Sequence, residues 1–128
     1  MTARLIKIFV LSFIFSSCCY ANNWKSVANS ADGESMYFVD IEFLQKSGNT
    51  RTFWLLENKS KRDKFGALST KENLSVNCVA KDIKQIYLSS FDDLGGNGKV
   101  ISSFPVKGDW VPIAPGSINA YIYKFVCK

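Results

Sequence analysis

Residues 115–127 read PGSINAYIYKFVC, from Pro115 to Cys127, and the folding of this stretch decides the architecture. Ile118, Tyr121, Ile122, Phe125 and Val126 follow one another at intervals of three, one, three and one, which gathers them on one face of a helix. Ser117 stands at the N-cap, where its hydroxyl can accept a bond from a backbone N–H that the first turn leaves unpaired. The same residues are rich in β-formers, so a last strand is the rival reading. The helix is the reading adopted, and its single apolar stripe requires a surface to lie on.

Strands supply that surface. Working back from the helix, Val100–Phe104 and Ile83–Phe91 read as strands joined by the glycine-rich turn Asp92–Lys99 (DDLGGNGK). Leu74–Ala80 alternates, with Leu74, Val76, Cys78 and Ala80 pointing one way, so Cys78 is expected on a strand facing the core. Asn58–Lys64 (NKSKRDK) is a polar, basic loop. Thr50–Leu56 (TRTFWLL) is apolar on both of its sides and is expected to be central and covered on both faces. Lys46–Asn49 (KSGN) is a turn in which Gly48 and Asn49 can take positive φ. Ser35–Ile41 and the short Trp24–Ala28 are strands separated by the turn Asn29–Gly33 (NSADG). Short strands with tight turns describe an antiparallel meander.

The first residues belong to a different kind of segment. Arg4 and Lys7 precede the apolar run Ile8–Phe15 (IFVLSFIF), and small and polar residues follow. That run is far short of the roughly 20 apolar residues that span a bilayer. The order of charge, apolar run and small residues reads as a secretory signal peptide over 1–21. A buried N-terminal helix or strand is the alternative, and nothing in such a structure calls for that order. Cleavage after Ala21 is favoured. The competing cut, at the lipobox-like Phe15-Ser16-Ser17-Cys18, would make Cys18 the lipidated first residue, but such boxes usually begin with leucine.

Cysteine parity agrees with the cut after Ala21, which removes Cys18 and Cys19 and leaves Cys78 and Cys127. In an oxidising compartment these two are expected to form a disulfide. Metal or redox roles lack the CxxC spacing, and the chain contains no histidine. Without Arg4 and Lys7, the 16 basic residues become 14 against 11 acidic ones, a net charge of +3 for residues 22–128. This is not the footprint of a dedicated nucleic-acid binder. Hydrophobic residues at 47% and charged residues at 21% describe one folded domain.

Catalytic motifs fail on inspection. The absence of histidine excludes Ser–His and Cys–His nucleophile pairs. No serine has a lysine three positions later. Gly95–Lys99 imitates a phosphate loop, but Val100 stands where Ser or Thr must hold Mg²⁺ and Asp93 where the first glycine belongs. Asp92-Asp93 reads as a solvated turn and not as half of an acid/base pair. No catalytic residue, metal ligand or cofactor is therefore expected. The concentrated charge is Lys59, Lys61, Arg62 and Lys64, offset by Asp63. A solvated loop is the plain reading. The functional one is contact with an acidic glycan, an anionic lipid head or an acidic protein face.

Several motifs, taken in order, resemble the bacterial surface-adhesin protein E-like family. They are Tyr37-Phe38-Val39-Asp40, Gly48-Asn49, Phe53-Trp54, Ser69-Thr70-Lys71 before Cys78, and Trp110 with Pro115-Gly116-Ser117 before Cys127. They span nearly all of residues 22–128. The resemblance implies an α+β fold: about six antiparallel strands in one sheet, with the C-terminal helix held on its concave side by the Cys78–Cys127 disulfide. It also implies a non-catalytic, adhesin-like binding module, since the family includes a lipoprotein adhesin that binds matrix proteins such as vitronectin and laminin, dimerises and binds haem. Haem is not carried over, because only Tyr or Met could ligate it here. The partner expected is a protein or acidic glycan, with a homodimer implied and membrane attachment only through Cys18. Periplasmic location is favoured, with the outer membrane or cell surface as the alternative. A periplasmic accessory protein with no host ligand is the other functional reading.

Overall fold

The computed structural model describes residues 23–128, so the signal peptide, its cleavage after Ala21 and lipidation at Cys18 lie outside the described residues. Among the described residues, eight strands and one α-helix follow in order: β1 (Trp24–Asn29), β2 (Ser35–Asp40), β3 (Gln45–Ser47), β4 (Thr50–Lys59), β5 (Ser69–Asn77), β6 (Asp82–Phe91), β7 (Val100–Pro105), β8 (Val111–Pro112) and α1 (Ile118–Val126). The strands form one antiparallel sheet in the order β1-β2-β4-β5-β6-β7. The two short strands fill gaps in this path. β3 pairs with the first half of β4 while β2 takes the second half, and β8 pairs with the start of β6 while β7 takes its end. The six-stranded expectation therefore describes the sheet's six strand positions.

The helix forms where the apolar spacing predicts it. The Ser117 hydroxyl accepts the N–H of Ala120 at 3.2 Å, closing the first turn. Ile122 and Val126 are buried against Val39, Phe53, Leu55, Leu74, Val76 and Ile83. Strand parity explains the set. Phe53 lies opposite Leu74, Arg51 opposite Val76 and Val39 opposite Leu55, so these side chains share the helix side of the sheet. Full burial of such a side chain contributes about 1.5–3 kcal/mol.

Cys78 and Cys127 are bonded, with Cα atoms 5.6 Å apart. Cys78 is not on a strand, however. β5 ends at Asn77, and Cys78 opens the turn into β6. There the Asn77 carboxamide accepts the N–H groups of Val79 and Ala80, each at 3.0 Å, and Lys81 takes a φ of 55°. An Asn side chain that satisfies the next backbone donors ends a ladder and starts a turn. The strand instead begins earlier, at Ser69.

Two other expectations change. β4 runs on to Lys59, three residues past Leu56, so Asn58 and Lys59 belong to the sheet and not to the loop. Of Gly48 and Asn49, only Gly48 takes positive φ, at 57°. The double-sided burial of β4 is partial. Phe53, Leu55 and Leu56 are buried, but Trp54 stays partly open on the side away from α1.

Candidate functional site

α1 covers only the end of its sheet face nearest Cys78. The other end, formed by the later half of β4, the start of β5, the end of β6 and β7, is left open as a groove of about 610 Å³. Its floor carries Glu57, Thr70, Glu72 and Leu88, and its walls carry Phe65 and Phe104, which are 70% and 46% exposed. Register explains the floor. Glu57 lies opposite Thr70, Glu72 opposite both Leu55 and Leu88, and Leu88 opposite Phe104. The row that is apolar beneath the helix thus continues into the open as two carboxylates.

Both carboxylates are held in place. Tyr37 donates to Glu57 Oε2 at 3.1 Å, and the Thr70 hydroxyl lies 3.5 Å from Oε1. Gln85 donates to Glu72 Oε2 at 2.8 Å. Burial raises the Glu72 pKa above the ordinary value; the bond from Gln85 opposes this, and the charge of Glu57 adds to it. Burial, and then Glu57, push Tyr37 up to about 12. A fixed pair of acceptors between aromatic and aliphatic walls can receive a cationic or amide-rich segment flanked by apolar side chains.

The basic residues singled out in the sequence are brought to this rim unequally. Lys59 lies at the strand end, lines the groove and pairs with Asp63 at 2.7 Å. That bond is the first cause holding Asp63 at a pKa of about 2, and the N–H groups of Ala67 and Phe65 help. Arg62 turns inward to the carbonyl oxygens of Gly66 and Asp92 and shapes the loop. Lys61 lies 3.7 Å from Glu34 with its side chain 80% exposed, and Lys64 sits over the Phe65 ring at 5.1 Å. Two of the four therefore fasten the loop, and two point outward.

Asp92 and Asp93 serve the turn: Asp92 accepts the N–H of Lys99, and Asp93 that of Leu94. Asn58 and Asn73, the two asparagines that begin N-x-S sequences, are also engaged. Asn58 accepts the N–H of Gly95, and Asn73 donates to the carbonyl of Phe53. Sequence reasoning misses Tyr37, Glu57 and Glu72 as site residues. The available signal is a glutamate on an otherwise apolar strand row, at Glu57 after Phe53 and Leu55 and at Glu72 before Leu74 and Val76.

The surface-adhesin protein E family matches residues 24–128. Among solved structures, the selenomethionine form of Haemophilus influenzae protein E superposes with a TM-score of 0.64 at 15% identity, covering 80% of this chain and 84% of that one. A second crystal form of the same protein gives 0.62 at 16% identity, covering 80% and 86%. A third structure gives 0.58 at 16%, covering 83% and 94%. At such identities the likeness is one of fold. No curated protein matches the sequence.

Proposed function

Because the chain belongs to the surface-adhesin protein E family over residues 24–128, we propose that it is an exported, non-catalytic binding module of adhesin type. The family match carries this reading. The groove beside α1 is the contact surface it favours for a cationic or amide-rich segment of the partner, with Lys61 and Lys64 as outlying charges for an acidic face beside that segment. Non-catalytic use fits the two glutamates, since each already accepts a neighbour's hydrogen bond, Glu57 from Tyr37 and Glu72 from Gln85.

The test uses residues 22–128 with the disulfide intact, on immobilised vitronectin and laminin at two salt concentrations. Saturable binding is expected. The double reversal Lys61→Glu with Lys64→Glu should weaken it and flatten its salt dependence, because two attractive charges then become repulsive and oppose the long-range attraction that salt screens. No saturable binding at either salt concentration removes the adhesin reading. Unchanged binding by the double variant removes the basic loop from it.

The poor fit of Phe15 to a lipobox favours a second reading, a periplasmic accessory protein. Intact mass of the protein from its native envelope separates the two. A soluble chain starting at Asn22 and confined to the periplasm supports the second, and a diacylated Cys18 supports surface display.

A further inference from the structure

The sheet face turned away from α1 carries aromatic side chains where an open antiparallel sheet usually carries polar ones. Trp24 lies opposite Asp40, Phe38 opposite Leu56, Leu56 opposite Lys71, and Lys71 opposite Ser89. The connection 92–99 folds over one end of this face, where Gly95 bonds to Asn58 and Gly96 to Ser69. Next to it lies a basin of about 420 Å³ among Trp24, Asp40, Phe43, Trp54, Lys71 and Ser89. That size falls within the range of small-ligand pockets, roughly 300–1,000 Å³.

The walls are oriented by contacts with one another and with residues outside the basin. Trp54 meets Tyr87 edge-on, with ring centres 6.0 Å apart. The Lys71 ammonium lies 5.8 Å from the Trp24 ring and 5.6 Å from that of Phe91. Phe43 closes one side from the loop after β2 and is 51% exposed. The most informative member is Asp40, only 2% exposed. One of its oxygens accepts the N–H of Glu42 at 3.1 Å, and the side chain lines the basin. Among the described residues, no Lys or Arg forms an ion pair with it. A carboxylate oxygen that lines a cavity can accept a hydrogen bond from a ligand hydroxyl.

We propose that this basin binds a neutral pyranose ring of a glycan. The C–H face of such a ring is apolar and stacks on indole, while its rim of hydroxyls both donates and accepts. Asp40 accepts from one hydroxyl, and Lys71 and Ser89 donate to or exchange bonds with others. The charges select neutrality. Asp40 repels an acidic sugar, Lys71 repels a cationic ligand, and an uncharged polyol satisfies both. The site lies on the opposite face from the groove and does not depend on it.

The test is a titration of residues 22–128 with the methyl pyranosides of galactose, glucose, mannose and N-acetylglucosamine, with sialic acid, glucuronic acid and glucosamine as charged comparisons. Tryptophan emission and saturation-transfer NMR provide the readouts. At least one sugar should bind saturably with a Kd of about 1 mM, typical of a single weak site. Trp54→Ala and Asp40→Asn should each weaken it at least tenfold, and Trp110→Ala, outside the basin, should leave it unchanged. Near-UV circular dichroism checks that the variants fold, and Phe43→Ala, on an exposed loop, gives a third variant if Trp54→Ala does not. Three results overturn the proposal: no saturable response up to each sugar's solubility, affinity unchanged in Asp40→Asn and Phe43→Ala, or a response confined to sialic acid, uronic acids or amines.

Discussion

The hydroxyl of Tyr123 donates to the carbonyl oxygen of Cys78 at 2.7 Å, one helical turn before Cys127 bonds to Cys78 through sulfur. The end of α1 is thus fastened twice to the β5–β6 turn. Cys127 also donates its N–H to the Tyr123 carbonyl, which keeps the last turn wound up to the crosslink. The helix therefore stops over the core and leaves the far end of the sheet open as the groove.

Replacing both Cys78 and Cys127 by serine should destabilise residues 22–128 by about 4 kcal/mol, the loop-closure value for a crosslink spanning 49 positions. Urea unfolding followed by circular dichroism measures it. A loss below about 1 kcal/mol would mean that the crosslink barely restricts the unfolded chain.

Tyr123→Phe removes one hydrogen bond and keeps the ring. A loss of about 1 kcal/mol is expected, with the disulfide unaffected. Ser117→Ala, at the other end of the helix, should cost a similar amount through its cap. Neither change should alter the groove.

Ile122→Ala leaves a hole between the helix and Phe53, in a site fully shielded from water. The expected loss is about 2–5 kcal/mol, read from the urea midpoint. Tyr121, expected on the apolar face, instead lies at its exposed edge, so Tyr121→Ala should fall within about 0.5 kcal/mol of the parent.

Glu72→Gln should raise stability at pH 7. The folded-state pKa of Glu72 lies above its usual 4.5, so its protonated form favours folding. That contribution is complete below the unfolded pKa and disappears as pH rises through the folded one. Glutamine keeps an acceptor for Gln85 and mimics the protonated acid, so the gain should vanish below about pH 4. A variant no more stable than the parent at pH 7 contradicts the sign.

Asp63 has the opposite sign. Its pKa of about 2 lies below the usual 3.8, so the loop contacts it holds are present above 3.8 and fade as pH falls toward 2. Amide exchange at Phe65 and Ala67 should accelerate over that interval, relative to the intrinsic rate, and in Asp63→Asn the acceleration should be absent.

Local pattern is legible in the order of residues by itself. The helix over Ile118–Val126, its Ser117 cap and the strands around Phe53-Trp54 follow from side-chain period and backbone chemistry, which act over a few residues. The bond between Cys78 and Cys127 is legible from parity and compartment. The position of Cys78 is not, because the alternation of Leu74–Ala80 looks the same whether the ladder continues or an Asn77 side chain ends it. The sites are less legible still. Glu57 and Glu72 meet only because β4 and β5 pair in one register, and Asp40 lies beside Trp54 and Lys71 only because β2, β4 and β5 stack side by side. An extra residue in β6 and another in β7 shift which side chains face the groove. Pairing across the sheet is decided by the packing of the whole chain, so such neighbours exist only once the fold has formed.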